Sequence, residues 1–272
     1  MTRGDAEWAL ALCRRSVLKQ AKIRELDRAM GSLSDEACLD LGGDNGVVSS
    51  VLRTRGGCWA SADLGERNVA SIRALVGGDV RAIEGTRLPF DAASFDMVVV
   101  VDLLEHVEDD GALVREMARV IRPGGTLVIN VPHLKPKSLI HAIRGAIGLT
   151  DAWHGHVRPG YSIAGLRALI APHFRVEYAR TYSRAFSEAI DLLLNGVFER
   201  VRGGRGSAEP NAKGNVVTRA DMDSHRRGFA LLRLAYPFLW AISRLDALLP
   251  WQSGYKLMVR ARHVPAADHA TA

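Results

Sequence analysis

Short apolar runs alternate along the first half of the chain with segments whose apolar residues recur at helical spacing. The apolar runs predict buried strands at 37–41, 58–62, 80–83, 95–101 and 126–131. Apolar residues spaced by three or four positions predict helices at about 5–30, 46–54, 66–76 and 110–120. Because strands and helices alternate in this way, the pattern predicts βαβ units and a parallel sheet.

Acidic residues stand at or just after the ends of four of these strands. They are Asp40, Asp63, Glu84 and Asp102. Taken singly, such a residue would be explained as a helix cap or a turn residue. In a parallel sheet, however, the carboxyl ends of the strands share one edge, so the four side chains are expected to converge there.

A glycine-rich turn, residues 42–46, follows the first of these strands and leads into a helix. Such a turn leaves backbone amides open and lets a ligand approach closely. Carboxylates beside it disfavour a diphosphate and favour a ligand that carries an ammonium or sulfonium group. The combination predicts a shared binding site for a small polar ligand.

The order and spacing of several motifs resemble one enzyme family. These motifs are Leu39-Asp40-Leu41-Gly42 with Gly46, Asp63, Glu84-Gly85 with Leu88-Pro89-Phe90, Ser94-Phe95-Asp96, Leu104-Glu105-His106-Val107 and residues 119–125. Together they resemble the class I S-adenosylmethionine-dependent methyltransferases, most closely the small-molecule branch called type 11. The resemblance implies an α/β, Rossmann-like doubly wound sheet of about seven strands, mostly parallel with the last antiparallel. It also implies S-adenosyl-L-methionine as the cofactor.

The resemblance assigns roles to individual residues. Asp40, Gly42 and Gly46 would form the turn under the methionine part of the cofactor. Asp63 would bind the two ribose hydroxyls, and Glu84 would lie next to the adenine amino group. The remaining cofactor-binding positions that it implies are Gly43, Asn45, Leu64, Gly85, Asp102 and Leu103.

One position departs from the family's pattern, because the middle glycine of the turn is Asp44 here. Its side chain would either crowd the cofactor or bind the ammonium group. A nicotinamide dinucleotide would place its diphosphate at this helix terminus, where Asp44 would repel it. A sulfonium cofactor suits the site better, because carboxylates favour its charge and a ribose diol suits a carboxylate acceptor.

The domain boundaries follow from the second half of the chain. The methyltransferase domain is predicted to comprise residues 1–182 and 254–263, with a sixth strand at 174–180. A helical insertion, residues 183–253, is predicted before the last strand. Residues 264–272 are predicted to be a disordered tail.

The insertion contains a flexible, polar stretch at 203–215 and a strongly apolar run at 229–251. Three charges and a proline interrupt the run, which argues against a helix that crosses a bilayer. Two interpretations remain open. The helices either pack as a lid over the substrate pocket or lie on a membrane surface with Tyr236, Trp240 and Trp251 at the interface.

Charge is distributed unevenly along the chain. Residues 1–135 carry 17 Lys+Arg against 20 Asp+Glu, whereas residues 136–272 carry 19 against 10. The basic half favours an anionic acceptor or an anionic membrane surface, with a plain solvated surface as the alternative. Nucleic acid is disfavoured as a partner, because no dense Lys/Arg run interleaves with aromatic residues.

Three well-separated cysteines, Cys13, Cys38 and Cys58, form no CxxC pair. They are predicted to be reduced thiols of a cytoplasmic protein. The N-terminal apolar run is too short for a secretory signal. Contact with the inner membrane would then be peripheral.

His106, His133 and His156 are the candidate general bases. Each also has a structural explanation as a hydrogen-bonding or surface residue. His154 and His156 have a spacing found in metal sites, but no carboxylate stands at ligand spacing nearby in the sequence. No metal is therefore predicted.

The predicted function is transfer of a methyl group from S-adenosylmethionine to an oxygen or nitrogen of a small or lipid-linked acceptor. Catalysis would come chiefly from alignment of the two reactants. One alternative is a non-catalytic cofactor-binding or scaffold protein that retains the fold, for which Asp44 is the support. Another is a nucleotide-dependent oxidoreductase, which would bind nicotinamide.

Overall fold

A computed structural model describes residues 9–135, 156–201 and 233–264. Its strands are β1 (Ala37–Leu41), β2 (Cys58–Leu64), β3 (Val80–Ile83), β4 (Phe95–Val101), β5 (Ile121–Pro132), β6 (Phe174–Tyr182) and β7 (Lys256–His263). They form a seven-stranded sheet in the order β3-β2-β1-β4-β5-β7-β6. Neighbouring strands are parallel, except that β7 is antiparallel to both β5 and β6. The predicted Rossmann-like sheet with an antiparallel last strand is confirmed.

Six helices flank or follow these strands in the described part of the chain. They are α1 (Val17–Met30), α2 (Val47–Arg53), α3 (Glu66–Val76), α4 (Asp110–Val120), α5 (Ile163–Ile170) and α6 (Ala185–Val201). A further helical segment covers residues 233–243 and continues into a short 3-10 helix, Arg244–Leu248. The crossover helices of the first half lie at the predicted positions.

The helix predicted at 5–30 is divided in the structure. Residues 9–13 are helical, and α1 begins only at Val17. Ser16 lies at the N-terminus of α1, where its side chain accepts a hydrogen bond from the Lys19 amide at 3.3 Å. Because serine satisfies an amide that a helix start leaves open, it favours a new helix here over a continuous one.

Burial from both faces explains the all-apolar sequence of β4. Val98 and Val100 belong to the same apolar cluster as Leu113 of α4. Val99 belongs to a second cluster with Leu26 of α1. Because successive strand residues point to opposite faces, a central strand with helices on both sides needs apolar residues throughout.

The helical insertion leaves the sheet and returns to it at one place. Tyr182 at the end of β6 pairs with Lys256 at the start of β7. The Tyr255 amide donates a hydrogen bond to the Ser183 carbonyl at 2.8 Å. The insertion therefore begins and ends within one antiparallel hairpin, which agrees with its predicted position before the last strand.

Several predictions concern residues outside those that the structure describes. These are the start of the predicted first helix, the flexible stretch at 203–215 and the tail after residue 264. Among the described helices, none combines the length and the apolar character that a membrane-spanning segment requires.

We expect Gly254→Ala to destabilise the fold, because a Cβ at Gly254 would lie within 2.5 Å of the backbone nitrogen of Tyr182. A steric conflict with backbone atoms should lower the free energy of unfolding by about 1–3 kcal/mol. Urea unfolding followed by circular dichroism measures the effect. Gly111→Ala in α4 is the control, because its nearest side-chain contact would be an ordinary 3.5 Å. Equal stability of the two variants would contradict the expectation.

Candidate functional site

A cavity of about 450 Å³ opens at the carboxyl ends of the central strands. Seven of the predicted cofactor-binding residues line it, namely Gly42, Gly43, Asn45, Asp63, Leu64, Asp102 and Leu103. Other residues of its wall are Lys19, Lys22, Asp44, Arg67, Asn68 and His106. A concave site with a few convergent polar groups is the usual form of a small-molecule site.

Two glycines allow the turn after β1 to fit between its neighbours. Gly42 has a φ of 83°, and a Cβ there would lie 2.5 Å from the Val101 carbonyl oxygen. A Cβ at Gly43 would collide with the Ser49 hydroxyl. The turn can therefore sit directly on the end of β4 only because these positions lack side chains. Gly46, also predicted as a contact, instead packs against α3 and does not line the cavity.

Asp40 lies under the turn rather than in the cavity. Its side chain is fully buried, and its Oδ2 accepts a hydrogen bond from the Ser61 hydroxyl at 3.2 Å. Burial raises the pKa of Asp40, while the nearby hydroxyl groups of Ser49 and Ser61 and the charge of Arg53 act in the opposite direction. A carboxyl group in this position supports the turn from below, and its predicted contact with the cofactor stays a prediction.

Asp63 ends β2 with its carboxylate against the turn. Its Oδ2 accepts a hydrogen bond from the Asp44 amide at 2.8 Å, and its Oδ1 accepts one from Asn68 Nδ2 at 3.0 Å. Burial raises the pKa of Asp63 to about 6, although both hydrogen bonds favour the ionised form. At neutral pH the group is therefore a buried anion that lines the cavity.

Asp44 occupies the position where the family's pattern has glycine. Its φ is 52°, in the left-handed region, which aspartate adopts at lower cost than most residues. Asp44 is half-buried in the cavity wall. Burial of Asp63 is the main cause of the raised pKa of Asp63, and the negative charge of Asp44 adds to it. Two neighbouring carboxylates give this end of the cavity a negative potential that favours a cationic ligand.

Lysines of α1 supply positive charge that the sequence analysis missed. Lys22 forms an ion pair with Oδ2 of Asp102, and Lys256 of β7 lies 3.7 Å from Oδ1 of the same residue. Asn130 also donates a hydrogen bond to Asp102 at 3.0 Å. Lys19 and Lys22 both line the cavity. The sequence gives no local signal for this ion pair, because Lys22 and Asp102 are 80 positions apart in the chain.

Glu84 and Gly85 follow β3, to one side of the cavity. The side chain of Glu84 is exposed, and neither residue lines the cavity. Asn68 and Arg67 of α3, by contrast, do line the cavity. The predicted contact of Glu84 with the adenine amino group stays a prediction.

His106 and His156 meet beside the cavity although 50 residues separate them. Their ring centroids are 4.9 Å apart in an edge-to-face arrangement, and His106 lines the cavity. A backbone hydrogen bond joins the segments that carry the two histidines: the Val157 amide donates to the Glu105 carbonyl at 2.9 Å. The Tyr161 hydroxyl likewise bonds to the segment after β4.

Glu105 joins these two histidines. Glu105, His106 and His156 each place a ligand atom within 4.8 Å of the others, so within the described residues this trio has a geometry that could hold a metal ion. Folding therefore brings to His156 a carboxylate from a distant segment, although none stands at ligand spacing nearby in the sequence. Absence of a metal stays a prediction.

His133 is placed differently from the other two histidines. It is buried at the end of β5, where its Nδ1 hydrogen-bonds to the Gly254 carbonyl at 2.8 Å. Burial lowers the pKa of His133, and the charge of Lys135 adds to the effect. It does not line the cavity, and a catalytic role for it stays a prediction.

Comparison with known proteins agrees with this geometry. Residues 39–129 match the family model of a methyltransferase domain of type 11. A curated relative, the ubiquinone biosynthesis O-methyltransferase of Marinobacter nauticus, is 32% identical over 143 residues, which cover 47% of this chain and 60% of that protein. The chain thus covers less than two thirds of the length of this relative and of other curated relatives with the same name.

Solved structures support the fold over most of the chain. An S-adenosylmethionine-dependent methyltransferase from Mesorhizobium loti has a TM-score of 0.53 and 17% identity, covering 89% of this chain and 97% of that one. A cyclase has a TM-score of 0.57 and 16% identity, covering 90% of this chain and 82% of that one. At this identity the likeness concerns the fold alone, and the cyclase illustrates that one fold supports different reactions.

The fold is Rossmann-like, and residues 39–129 match the model of a type 11 methyltransferase domain. This match confirms the resemblance drawn from the sequence. The cofactor that this family implies is S-adenosylmethionine. The cavity suits it, because the glycines leave room beside the turn and the buried carboxylate of Asp63 suits a ribose diol.

Cofactor affinity should fall as the pH decreases through about 6. In the predicted role, the ionised Asp63 accepts hydrogen bonds from the ribose diol, and the raised pKa means that this carboxylate is protonated in acid. The affinity should be constant between about pH 7 and 8 and then fall by up to tenfold per pH unit below the pKa. Calorimetric titration with S-adenosylhomocysteine measures it. An affinity that is unchanged at pH 5 would contradict this role of Asp63.

Proposed function

We propose that the chain is an S-adenosylmethionine-dependent methyltransferase that methylates an oxygen of a small or lipid-linked acceptor. The observation that carries this proposal is the cavity in which Asp63 meets the glycine turn, within a segment that matches the methyltransferase family. The names of the curated relatives support oxygen as the accepting atom and a quinone-like acceptor. A cytoplasmic location with peripheral contact at the inner membrane belongs to the same proposal.

Residues of the cavity would bind and orient the two reactants. When bound, S-adenosylmethionine supplies a methyl group that is already activated on a sulfonium. Gly42 and Gly43 let a ligand lie directly against the turn, and Asp63 accepts hydrogen bonds from a diol. Lys19 also lines the cavity and supplies a cation that would attract a ligand carboxylate, while Lys22 is paired with Asp102. Catalysis then comes mainly from alignment and exclusion of water.

His106 is the best-placed base for the acceptor's proton. It is the one of the three candidate histidines that lines the cavity, and a hydroxyl nucleophile must lose its proton as the new C–O bond forms. The His156 ring packs edge-to-face against it. His133 and His156 stay weaker candidates for the direct role.

The cofactor site is tested by Asp63→Ala. Loss of the buried carboxylate should weaken S-adenosylhomocysteine binding by about 30-fold or more, because a charge-assisted pair of hydrogen bonds is removed. Calorimetry measures the affinity, and circular dichroism checks that the fold survives. Asp79→Ala is the matched control, since Asp79 is an exposed aspartate paired with Arg81. Undiminished binding in Asp63→Ala would overturn the site assignment.

The base is tested by His106→Gln, which keeps a polar side chain but cannot take a proton. We expect kcat to fall by about 10²–10³-fold and its dependence on pH near neutrality to disappear, while cofactor affinity is retained. The measurement is release of S-adenosylhomocysteine with a panel of hydroxyl-bearing acceptors, with and without a long alkyl chain. An unchanged pH profile in the variant would remove His106 from this role.

A non-catalytic binding protein is the second candidate, and Asp44 is the observation that favours it. An acidic side chain in the wall of the cavity could restrict the cofactor to a binding mode without turnover. Mass spectrometry of the purified protein and the acceptor panel separate the two functions. Bound cofactor with turnover supports the enzyme, whereas bound cofactor without turnover in the whole panel supports the binding protein.

A further inference from the structure

The helical segment 233–243 presents its apolar residues to solvent. Leu234, Phe238 and Ile242 are spaced four residues apart and therefore lie on one face of the helix. Their exposed fractions are 70%, 69% and 43%. Ser243, nine positions after Leu234 and hence on the opposite side, is 7% exposed. A helix on the surface of a globular protein normally has the reverse arrangement, with its apolar stripe facing the core.

The apolar surface continues beyond this helix. Leu245 and Leu248 of the 3-10 helix are exposed, and the side chain of Trp251 is 75% exposed. Trp240 is 42% exposed, but it lies on the side of the helix away from the stripe of Leu234, Phe238 and Ile242. We refer to this surface, formed by the exposed apolar side chains of residues 234–251, as the outer apolar face. Contiguous exposed apolar surface of this kind marks a contact with another molecule or a membrane.

The outer apolar face is fixed to the domain rather than loosely attached. Asp246 accepts hydrogen bonds from the amides of Arg184 and Phe186 at 2.8 and 2.9 Å. The Arg184 side chain donates in return to the carbonyls of Asp246 and Gln252. These bonds tie the segment to the start of α6. The orientation of the apolar residues is therefore set by the fold.

Arginines lie in and next to the segment that carries the outer apolar face. Arg233 and Arg244 belong to the same segment, and the guanidinium of Arg244 lies 5.5 Å from the Trp240 ring centroid. The pKa of Arg24 on the neighbouring α1 is lowered, mainly by burial and secondly by the positive charge of Arg244. Arg24 and Arg244 therefore lie close together. The acidic residue of the segment, Asp246, is already engaged with backbone amides. The charges in and next to the segment that Asp246 leaves uncompensated are therefore those of arginines, which suit an anionic surface.

We propose that the outer apolar face docks on an anionic lipid surface. Exposed leucine, phenylalanine and isoleucine side chains would enter the acyl boundary, and tryptophans and arginines would lie at headgroup level. Exposed tryptophan and arginine in the same segment as an exposed apolar stripe match the composition of an interfacial helix. Of the two interpretations left open by the sequence, the outward stripe favours membrane contact over a lid, because a lid would turn that stripe inwards.

This proposal specifies how the proposed peripheral membrane contact is made, and it does not depend on methyl transfer. Flotation on sucrose gradients tests it with vesicles of phosphatidylcholine, alone or mixed with phosphatidylglycerol. We expect the full chain to float with the mixed vesicles at low salt, to float less at high salt and to stay unbound on phosphatidylcholine alone. Failure to float with the anionic vesicles at low salt would overturn the proposal.

Variants locate the contact on the protein. The double variant Phe238→Ser and Ile242→Ser should weaken vesicle binding by roughly tenfold or more, since two apolar side chains lose their burial. Both residues are already exposed, so the fold should be retained. Val157→Ser is the control, because Val157 is a half-exposed apolar residue outside the outer apolar face. Equal binding of the double variant and the native chain would exclude this face as the docking site.

Two further measurements separate the competing explanations. Light scattering after size-exclusion chromatography reports whether the face joins two copies of the chain. A dimer that the double variant dissociates would replace the membrane proposal with a self-interface. Calorimetry with S-adenosylhomocysteine should give the same affinity for the native chain and the double variant. Loss of flotation with intact cofactor binding therefore identifies the docking surface without bearing on the proposed reaction.

Discussion

The hydrogen bond from the Asp44 amide to the Asp63 carboxylate joins the ends of two neighbouring strands at the cavity. It fixes the glycine turn after β1 against the end of β2, and it holds a carboxylate where water is largely excluded. A buried anion is costly unless hydrogen bonds satisfy it, and here an amide and Asn68 do so. The shape of the turn and the negative potential of the cavity therefore have one common origin.

Much of this architecture could be predicted from the sequence, because it depends on local patterns. The buried run of β4 and the acids after the strands are short signals whose meaning follows from parallel-sheet geometry. Asp63 and Asp102 do converge on the cavity. Glu84 does not line it, and Asp40 lies beneath it, because being near a strand end does not determine which way a side chain points.

The parts that could not be predicted depend on contacts between distant segments. Lys22 reaches Asp102 across 80 positions, and His156 reaches His106 across 50. Neither pair has a sequence spacing from which its contact could be predicted. The outward direction of the stripe at Phe238 was equally hidden, since periodicity identifies an apolar face but not what that face meets. These features appear only when the sheet brings its loops together.

The closed hairpin at the end of the sheet has an evolutionary consequence. Because Ser183 and Tyr255 are hydrogen-bonded to each other, everything between them is an excursion from two adjacent strands. The length and composition of that excursion can vary while the register of the hairpin, and with it the opposite end of the sheet, is preserved. Related catalytic domains could thus acquire or lose attachment to a particular cellular surface by exchanging this one module.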